Sequence, residues 1–391
     1  MKFFLEQLNK FQNNDLAKLL VIAILLRLVL FLVMLSTRIQ ADYYQNSGEA
    51  LNSMLNIWVM WDSGWYLDII NSGYHLSTIT IGPEAGQANY AFFPLYPLLT
   101  KFLGMIFLGN YVLAGVIISN ISWIAGIVYL YKLTKELFNS TAGLQAVKFM
   151  IVFPTAFLFS AMFTESLFFA LLCATLYYSL KTNWKLSLIL AILLALTRNM
   201  GIWVVIPMFF FYLEKNIKDE KYDLRNIVKA IWSPNILTLF CIPLSVFCFM
   251  YYISTITGDI FSVIEIQGAW GRELSNPMMN ILRGLQGGFE GMFVSIFTII
   301  CLVFFVLGYS RIPKSLFILG LLMFIFPLLN SPQVFHLLSL PRYILVILPL
   351  YIVFATLIKK DTQLEKIILA SCLILQTFLA IQWTTYNVLL V

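Results

Sequence analysis

Residues 61 to 66 read Trp-Asp-Ser-Gly-Trp-Tyr, a carboxylate set between two indoles. Aromatic rings around a carboxylate desolvate it in part, which raises its basicity toward that needed for proton abstraction. Aromatic faces such as Trp61 and Trp65 also suit a sugar ring, stacking on its C–H face while its hydroxyls are hydrogen-bonded. The plainer reading is an aromatic belt at a membrane interface, with Asp62 as a helix cap. Residue types alone leave both readings open.

Further polar groups are spread along the chain. In Phe163-Thr164-Glu165-Ser166, Thr164 is placed to cap a helix beginning at Glu165, and a first-turn acid complements the helix dipole. For Glu165 the residues therefore favour a capping role. Arg198, in Leu196-Thr197-Arg198-Asn199, falls at a break between two apolar half-helices. A snorkelling arginine and an anion contact both fit that place. Asp259, Gln267, Trp270 and Arg272 share one polar, aromatic stretch, where a solvated loop is the default for any single residue. His75 follows the first motif, and His336 precedes Pro341-Arg342-Tyr343. Arg342 suits either an interface anchor or a bidentate phosphate clamp. There is no Walker A loop, GxGxxG, HExxH or Asp-x-Asp, and no spacing of a hydrolase triad. No metal site and no cofactor are expected.

The elements that must position these residues are membrane helices. Hydrophobic residues make up 60% of the chain and charged ones 11%, against about 25% charged in soluble domains. A helical span needs about 20 apolar residues. Candidate spans are 16–36, 111–131, 146–162, 165–180, 186–197, 200–213, 233–256, 291–309, 315–330, 343–358 and 367–387. The expectation is an all-α polytopic membrane protein with about 11 transmembrane helices, forming one domain over 1–391. The runs in 146–180 and 186–213 are short, as in broken helices lining a cavity. The first run, interrupted by Arg27 and lacking a small-x-small cleavage site, reads as a span and not a signal peptide. The cysteines Cys173, Cys241, Cys248, Cys301 and Cys372 all lie in apolar runs and read as small hydrophobes.

Most of the 25 lysines and arginines fall in segments that alternate spans would place on one side. These include Lys132 and Lys135, Lys181 and Lys185, Lys215 to Lys229, Arg311 and Lys314, and Lys359 to Lys366. The positive-inside rule puts that side in the cytoplasm. The basic excess is thus a topology signal, and no nucleic-acid partner is expected. Segments 37–110 and 257–290 then face outward with the polar motifs. The stretch Ala91-Phe-Phe-Pro-Leu-Tyr-Pro-Leu-Leu-Thr-Lys-Phe-Leu-Gly104 reads as interfacial or re-entrant, because counting it as a span would invert every later basic loop.

In this order, WDSGWYLDIINSGYH, AFFPLYPLL, FPTAFLFSAMFTESLFF, LTRNMGI, GDIFSVIEIQGAWGR and SLPRYILVILPLYI resemble the PIG-V family of mannosyltransferases, polytopic glycosyltransferases of the GT-C class. The composition, rich in Lys, Ile, Asn and Phe, fits a bacterial member. The resemblance implies inverting transfer of a sugar, typically mannose, from a polyprenyl- or dolichyl-phosphate donor to a lipid or other membrane-associated acceptor. The reaction would take place on the extracytoplasmic or lumenal face of the bacterial cell membrane, or of the endoplasmic reticulum in a eukaryote. By motif, Asp62 would be the base, and Glu165 becomes a candidate for sugar or acceptor contact. From charge and location, Arg198, Arg272 and Arg342 are expected around the leaving phosphate, with Arg272 the weaker expectation. The sugar and acceptor contacts expected are Trp61, Trp65, His75, Asp259, Gln267, Trp270, His336 and Tyr343. The alternative is a polytopic transporter or lipid flippase, which favours internal symmetry and midplane charges. The chain shows no internal repeat, and Arg27 is its one deep charge.

Overall fold

The computed structural model describes residues 15–44, 54–76, 78, 86–216, 231–332, 337 and 339–385. In chain order the helices are α1 (Asp15–Tyr44), α2 (Ser63–Ser72), α3 (Leu95–Ile106), α4 (Tyr111–Leu137), α5 (Ser140–Val152), α6 (Glu165–Leu180), α7 (Trp184–Ala195) and α8 (Val205–Asn216). They continue as α9 (Cys241–Thr257), α10 (Pro277–Gln286), α11 (Gly288–Leu307), α12 (Lys314–Leu329), α13 (Leu340–Leu345), α14 (Leu348–Leu357) and α15 (Gln363–Thr384). A small antiparallel ribbon pairs β1 (Arg272–Leu274) with β2 (Asn330–Pro332), Arg272 opposite Pro332. The ribbon is an addition to the all-helical expectation.

Helix starts are written locally. Asn110, Asn139, Asn183, Asn276 and Thr362 each accept a backbone N–H in the first turn of the following helix, the usual service of a short polar cap. Asp15–Gln40, Tyr111–Leu137, Pro234–Thr257, Gly288–Leu307 and Gln363–Thr384 are long and apolar enough to cross a bilayer. The chain is an integral membrane protein with several apolar spans. These five are fewer than the eleven spans expected. Every expected span falls at least partly on helix, and most of the remainder lie on apolar helices of 10–17 residues, while 200–213 covers a 3-10 turn and α8. The expected span 343–358, for instance, straddles the break between α13 and α14. Among the described residues all five cysteines are free thiols, Cys173 and Cys301 buried but Cys248 exposed on α9.

The core is built around α6. Its apolar residues run all round the helix, and nearly every side chain from Glu165 to Leu176 is buried, as expected of a helix enclosed on all sides. It packs on α4, α7 and α8. At 1.5 Å per residue its two ends lie about 24 Å apart. The Glu165 end carries the polar cluster described below. Beyond the other end Lys181 Nζ sits 2.6 Å from Glu136 Oε1.

Arg27, deep in α1, is accounted for structurally. Its Nη1 donates to the Ala156 carbonyl at 2.9 Å, and the guanidinium lies 4.4 Å from the centroid of the Trp123 ring. It thereby supplies a partner to a carbonyl in the 3-10 turn Ala156–Ser160, after α5 has ended. The Ala91–Gly104 stretch forms α3, a 12-residue helix. Tyr96, Pro97, Thr100 and Gly104 face the core, while Leu98, Phe102 and Ile106 are exposed.

Candidate functional site

Two tight turns bring the first two acids together. Trp61 takes φ 54, a left-handed conformation unfavourable for a bulky residue, and such strain concentrates at functional sites. The Met162 N–H donates to the Trp58 carbonyl at 2.9 Å, and Ser63 Oγ donates to the Met162 carbonyl at 3.2 Å. These bonds tie the turn carrying Asp62 to the one leading into Glu165. Asp62 precedes α2 but its side chain caps no N–H. Instead, Oδ2 lies 2.9 Å from Arg342 Nη1. Thr164 likewise makes no side-chain cap for α6. The capping reading of both sites is therefore corrected: the carboxylates face guanidinium groups.

Glu165 is 0% exposed. Its Oε1 accepts from Arg342 Nε at 3.0 Å and lies 2.9 Å from Arg198 Nη1. The Arg198 approach is an ion pair off the N–H line, since that nitrogen makes no hydrogen bond among the described residues. Nor does Glu165 Oε2 have a hydrogen-bond partner among them. In this structure Glu165 is enclosed, with two guanidinium groups against one oxygen.

Three breaks in helical structure supply the cations. Ser339, at φ 62, precedes α13, which delivers Arg342 into the core with 3% exposure. The Arg342 guanidinium lies 4.0 Å from the Phe163 ring centroid. Arg198 is extended between α7 and the 3-10 turn Asn199–Val204, and its guanidinium lies 4.8 Å from the Tyr343 ring centroid. The ribbon holds Arg272, whose Nη1 donates to the Tyr343 hydroxyl at 2.8 Å. The result is one chain of contacts, Asp62–Arg342–Glu165–Arg198–Tyr343–Arg272.

Formal charge within this chain nearly cancels, because Arg342 and Arg198 match Asp62 and Glu165. Arg272 is left as the uncompensated cation, half-buried at the end of the series. Burial by itself disfavours charge on Arg342 and Arg198, but Glu165, joined at Arg342 by Asp62, holds both above the usual guanidinium value. The neighbouring Tyr66 hydroxyl is pushed well up by burial and by the Asp62 and Glu165 charges. It remains a neutral phenol. Arg342 is enclosed and doubly paired, whereas Arg272 is half-buried and bonded to a hydroxyl.

Trp65, Phe92 and Trp270 form an aromatic cluster. Trp65 stacks on Phe92 at 5.9 Å, and Trp270 meets both edge-on, at 6.0 and 5.8 Å. Gln267 Nε2 donates to the Ala91 carbonyl at 3.5 Å, close to the same rings. The cluster thus joins the two long segments expected outside. Trp61 is exposed. His75 Nε2 pairs with Asp68 Oδ2 at 3.0 Å, and Asn89 Nδ2 donates to that oxygen at 2.7 Å. Asp259 accepts from the Phe261 N–H in its own turn. His336 lies outside the described residues.

Sequence reasoning passed over Tyr66, Phe163 and Phe92. Tyr66 was open to recognition, since four residues on from Asp62 means the same helical face. The contacts of Phe163 and Phe92 depend on tertiary packing and left no local signal.

No protein-family model matches the chain, and no curated protein matches it. Among solved structures it is similar to the Archaeoglobus fulgidus oligosaccharyltransferase crystallised with zinc and sulfate. The TM-score is 0.45 at 14% identity, over 92% of this chain and 53% of that one. The same enzyme tethered to an acceptor peptide gives a TM-score of 0.44 at 13% identity, over 93% of this chain and 55% of that one. The chain spans about half the length of these structures.

Proposed function

We propose that this protein is a GT-C-type glycosyltransferase that moves a sugar from a polyprenyl-phosphate carrier to a membrane-associated acceptor, with mannose the favoured sugar. The observation that carries the reading is the Asp62 carboxylate. It is one-quarter exposed and paired through Oδ2 to a buried arginine, in a chain of contacts that ends on the uncompensated Arg272.

In this reading Asp62 accepts the proton of the acceptor hydroxyl as that oxygen attacks the anomeric carbon. The C–O bond to phosphate breaks on the opposite face, and the phosphate leaves with the bonding pair. Arg272, with the Tyr343 hydroxyl beside it, stabilises the charge developing there. Arg342 and Arg198 add to the local positive field, but each is held by Glu165 and donates to no phosphate. Trp65, Phe92 and Trp270 give the sugar an apolar face. Trp61, His75, Asp259, Gln267 and His336 remain proposed substrate contacts from residue type and location.

The test is transfer by purified protein from a polyprenyl-phosphate sugar, with a nucleotide sugar as the alternative donor. Asp62→Asn keeps the shape but cannot take the proton, and a general base contributes about 10²–10⁴-fold. Transfer is expected to fall at least a hundredfold, by that range, with yield near wild type. Near-normal transfer would remove Asp62 as the base. Activity confined to the nucleotide sugar would remove the donor assignment.

A further inference from the structure

The most enclosed acid of the cluster has no part in the chemistry as written. Glu165 is 0% exposed, so it can reach neither sugar nor solvent. Yet one oxygen, Oε1, holds both Arg342 and Arg198, at 3.0 and 2.9 Å. Through Arg342 it reaches Asp62 Oδ2, 2.9 Å beyond. Through Arg198 it reaches the Tyr343 ring and, by the Tyr343 hydroxyl, Arg272. Both arms use α13, through Arg342 and Tyr343; one then runs to the turn before α2, the other to the α7 break and β1.

We propose that Glu165 is a positioning residue that fixes the distance between the base Asp62 and the leaving-group cation Arg272, acting through Arg342 and Arg198. In-line displacement requires base and leaving group on opposite faces of one carbon, and misplacement by about 1 Å can lower the rate a hundredfold. A carboxylate shared by two guanidiniums is a rigid way to set that distance, because each cation is oriented by a charge it cannot exchange with water. Without Glu165, Arg342 has only Asp62 as a carboxylate partner and Arg198 has none among the described residues. The inference rests on the glycosyl-transfer reading for its kinetic consequences, but its geometry is testable without activity.

The experiment uses full-length protein purified in detergent, as wild type, Asp62→Asn, Glu165→Gln and the double variant. Kinetically, Glu165→Gln is expected to lower kcat at least tenfold, while KM for donor and acceptor stays within about threefold, because the side chain touches neither. In the Asp62→Asn background the same change should cost less than about twofold, since the group being positioned has already lost its function. A tenfold rise in either KM with kcat unchanged would instead make Glu165 a substrate contact. Equal kcat losses in both backgrounds would show that it does not act through Asp62.

Thermal unfolding of the same four proteins reads the geometry directly. The Tm losses of the single variants are expected to be non-additive in the double, and additive losses would overturn the chain of contacts whatever the reaction is. Failure of wild type to transfer any sugar, with non-additive Tm values, would refute the functional reading and retain the structural one. Should Glu165→Gln not fold, Glu165→Asp keeps the charge but withdraws it by one methylene. A wild-type kcat for Glu165→Asp, or Tm losses additive with Asp62→Asn, would overturn the proposal.

Discussion

Arg342 and Arg272 carry the same charge within one cluster, but their losses should be felt in different places. Arg342 is 3% exposed and holds both Glu165 and Asp62. Arg342→Ala leaves a buried carboxylate short of a cation, and breaking a buried pair costs about 3–5 kcal/mol. The expected outcome is a lower yield from detergent and a Tm reduced by several degrees. Arg272 instead donates to a neutral hydroxyl from a half-buried ribbon. Arg272→Ala should leave Tm nearly unchanged and lower kcat/KM for a polyprenyl-phosphate donor about tenfold, the 1.4 kcal/mol of a modest charge-assisted contact. Donor titrations with both variants, read beside their melting curves, separate the roles. An unchanged kcat/KM for the donor in Arg272→Ala would leave that arginine only the support of Tyr343. Charge and location revealed both arginines in the sequence, but not which one the fold had already neutralised. That distinction depends on Glu165, 177 residues away from Arg342 in sequence.

At the scale of elements, the breaks matter more than the helices. Asp62 and Arg198 sit where a helix has ended or is about to begin, and Arg342 lies in the first turn of the six-residue α13. Apolar periodicity located the helices well, since runs such as Glu165–Leu180 and Tyr111–Leu137 stand out by composition alone. It located the breaks unevenly. The polar Thr197-Arg198-Asn199 marked the break before the 3-10 turn Asn199–Val204, but the α13–α14 interruption lies inside an apolar run, where period gives no warning. Gly201 is the tell-tale at the first of these. A Cβ there would meet the Leu194 carbonyl oxygen at 2.5 Å and Ala195 Cα at 2.8 Å, both backbone atoms unable to step aside. Gly201→Ala must push the 3-10 turn away from α7 and carry Arg198 off Glu165. Overpacking of this kind costs about 1–3 kcal/mol, so a fall in Tm and a loss of transfer are expected together. Gly268→Ala meets nothing within 4 Å and serves as the control, with Tm unchanged. Equal melting of the two variants would mean that the close approach at Gly201 is not a constraint.

For the whole molecule, the question is which side of the membrane the cluster faces. Helix α6 fixes the relation between its ends: Glu165 opens it, and Lys181, paired with Glu136, follows its last turn about 24 Å away at 1.5 Å per residue. In the proposed topology α6 crosses the membrane, and the Asp62 cluster then faces the side opposite Lys181. Lys132, Lys135 and Lys185 gather near the Lys181 end in sequence, so the positive-inside rule assigns that end to the cytoplasm. Two exposed positions make the assignment measurable, Glu273 in β1 beside Arg272 and Lys185 in the first turn of α7. With the five native cysteines replaced, a membrane-impermeant maleimide applied to intact cells should label Glu273→Cys. It should label Lys185→Cys only after permeabilisation. The reverse pattern would place Asp62 and Arg272 on the cytoplasmic face, where soluble nucleotide sugars are made. The proposed polyprenyl-phosphate donor goes with the opposite face. Labelling that contradicted the charge bias would therefore unseat the donor assignment together with the orientation.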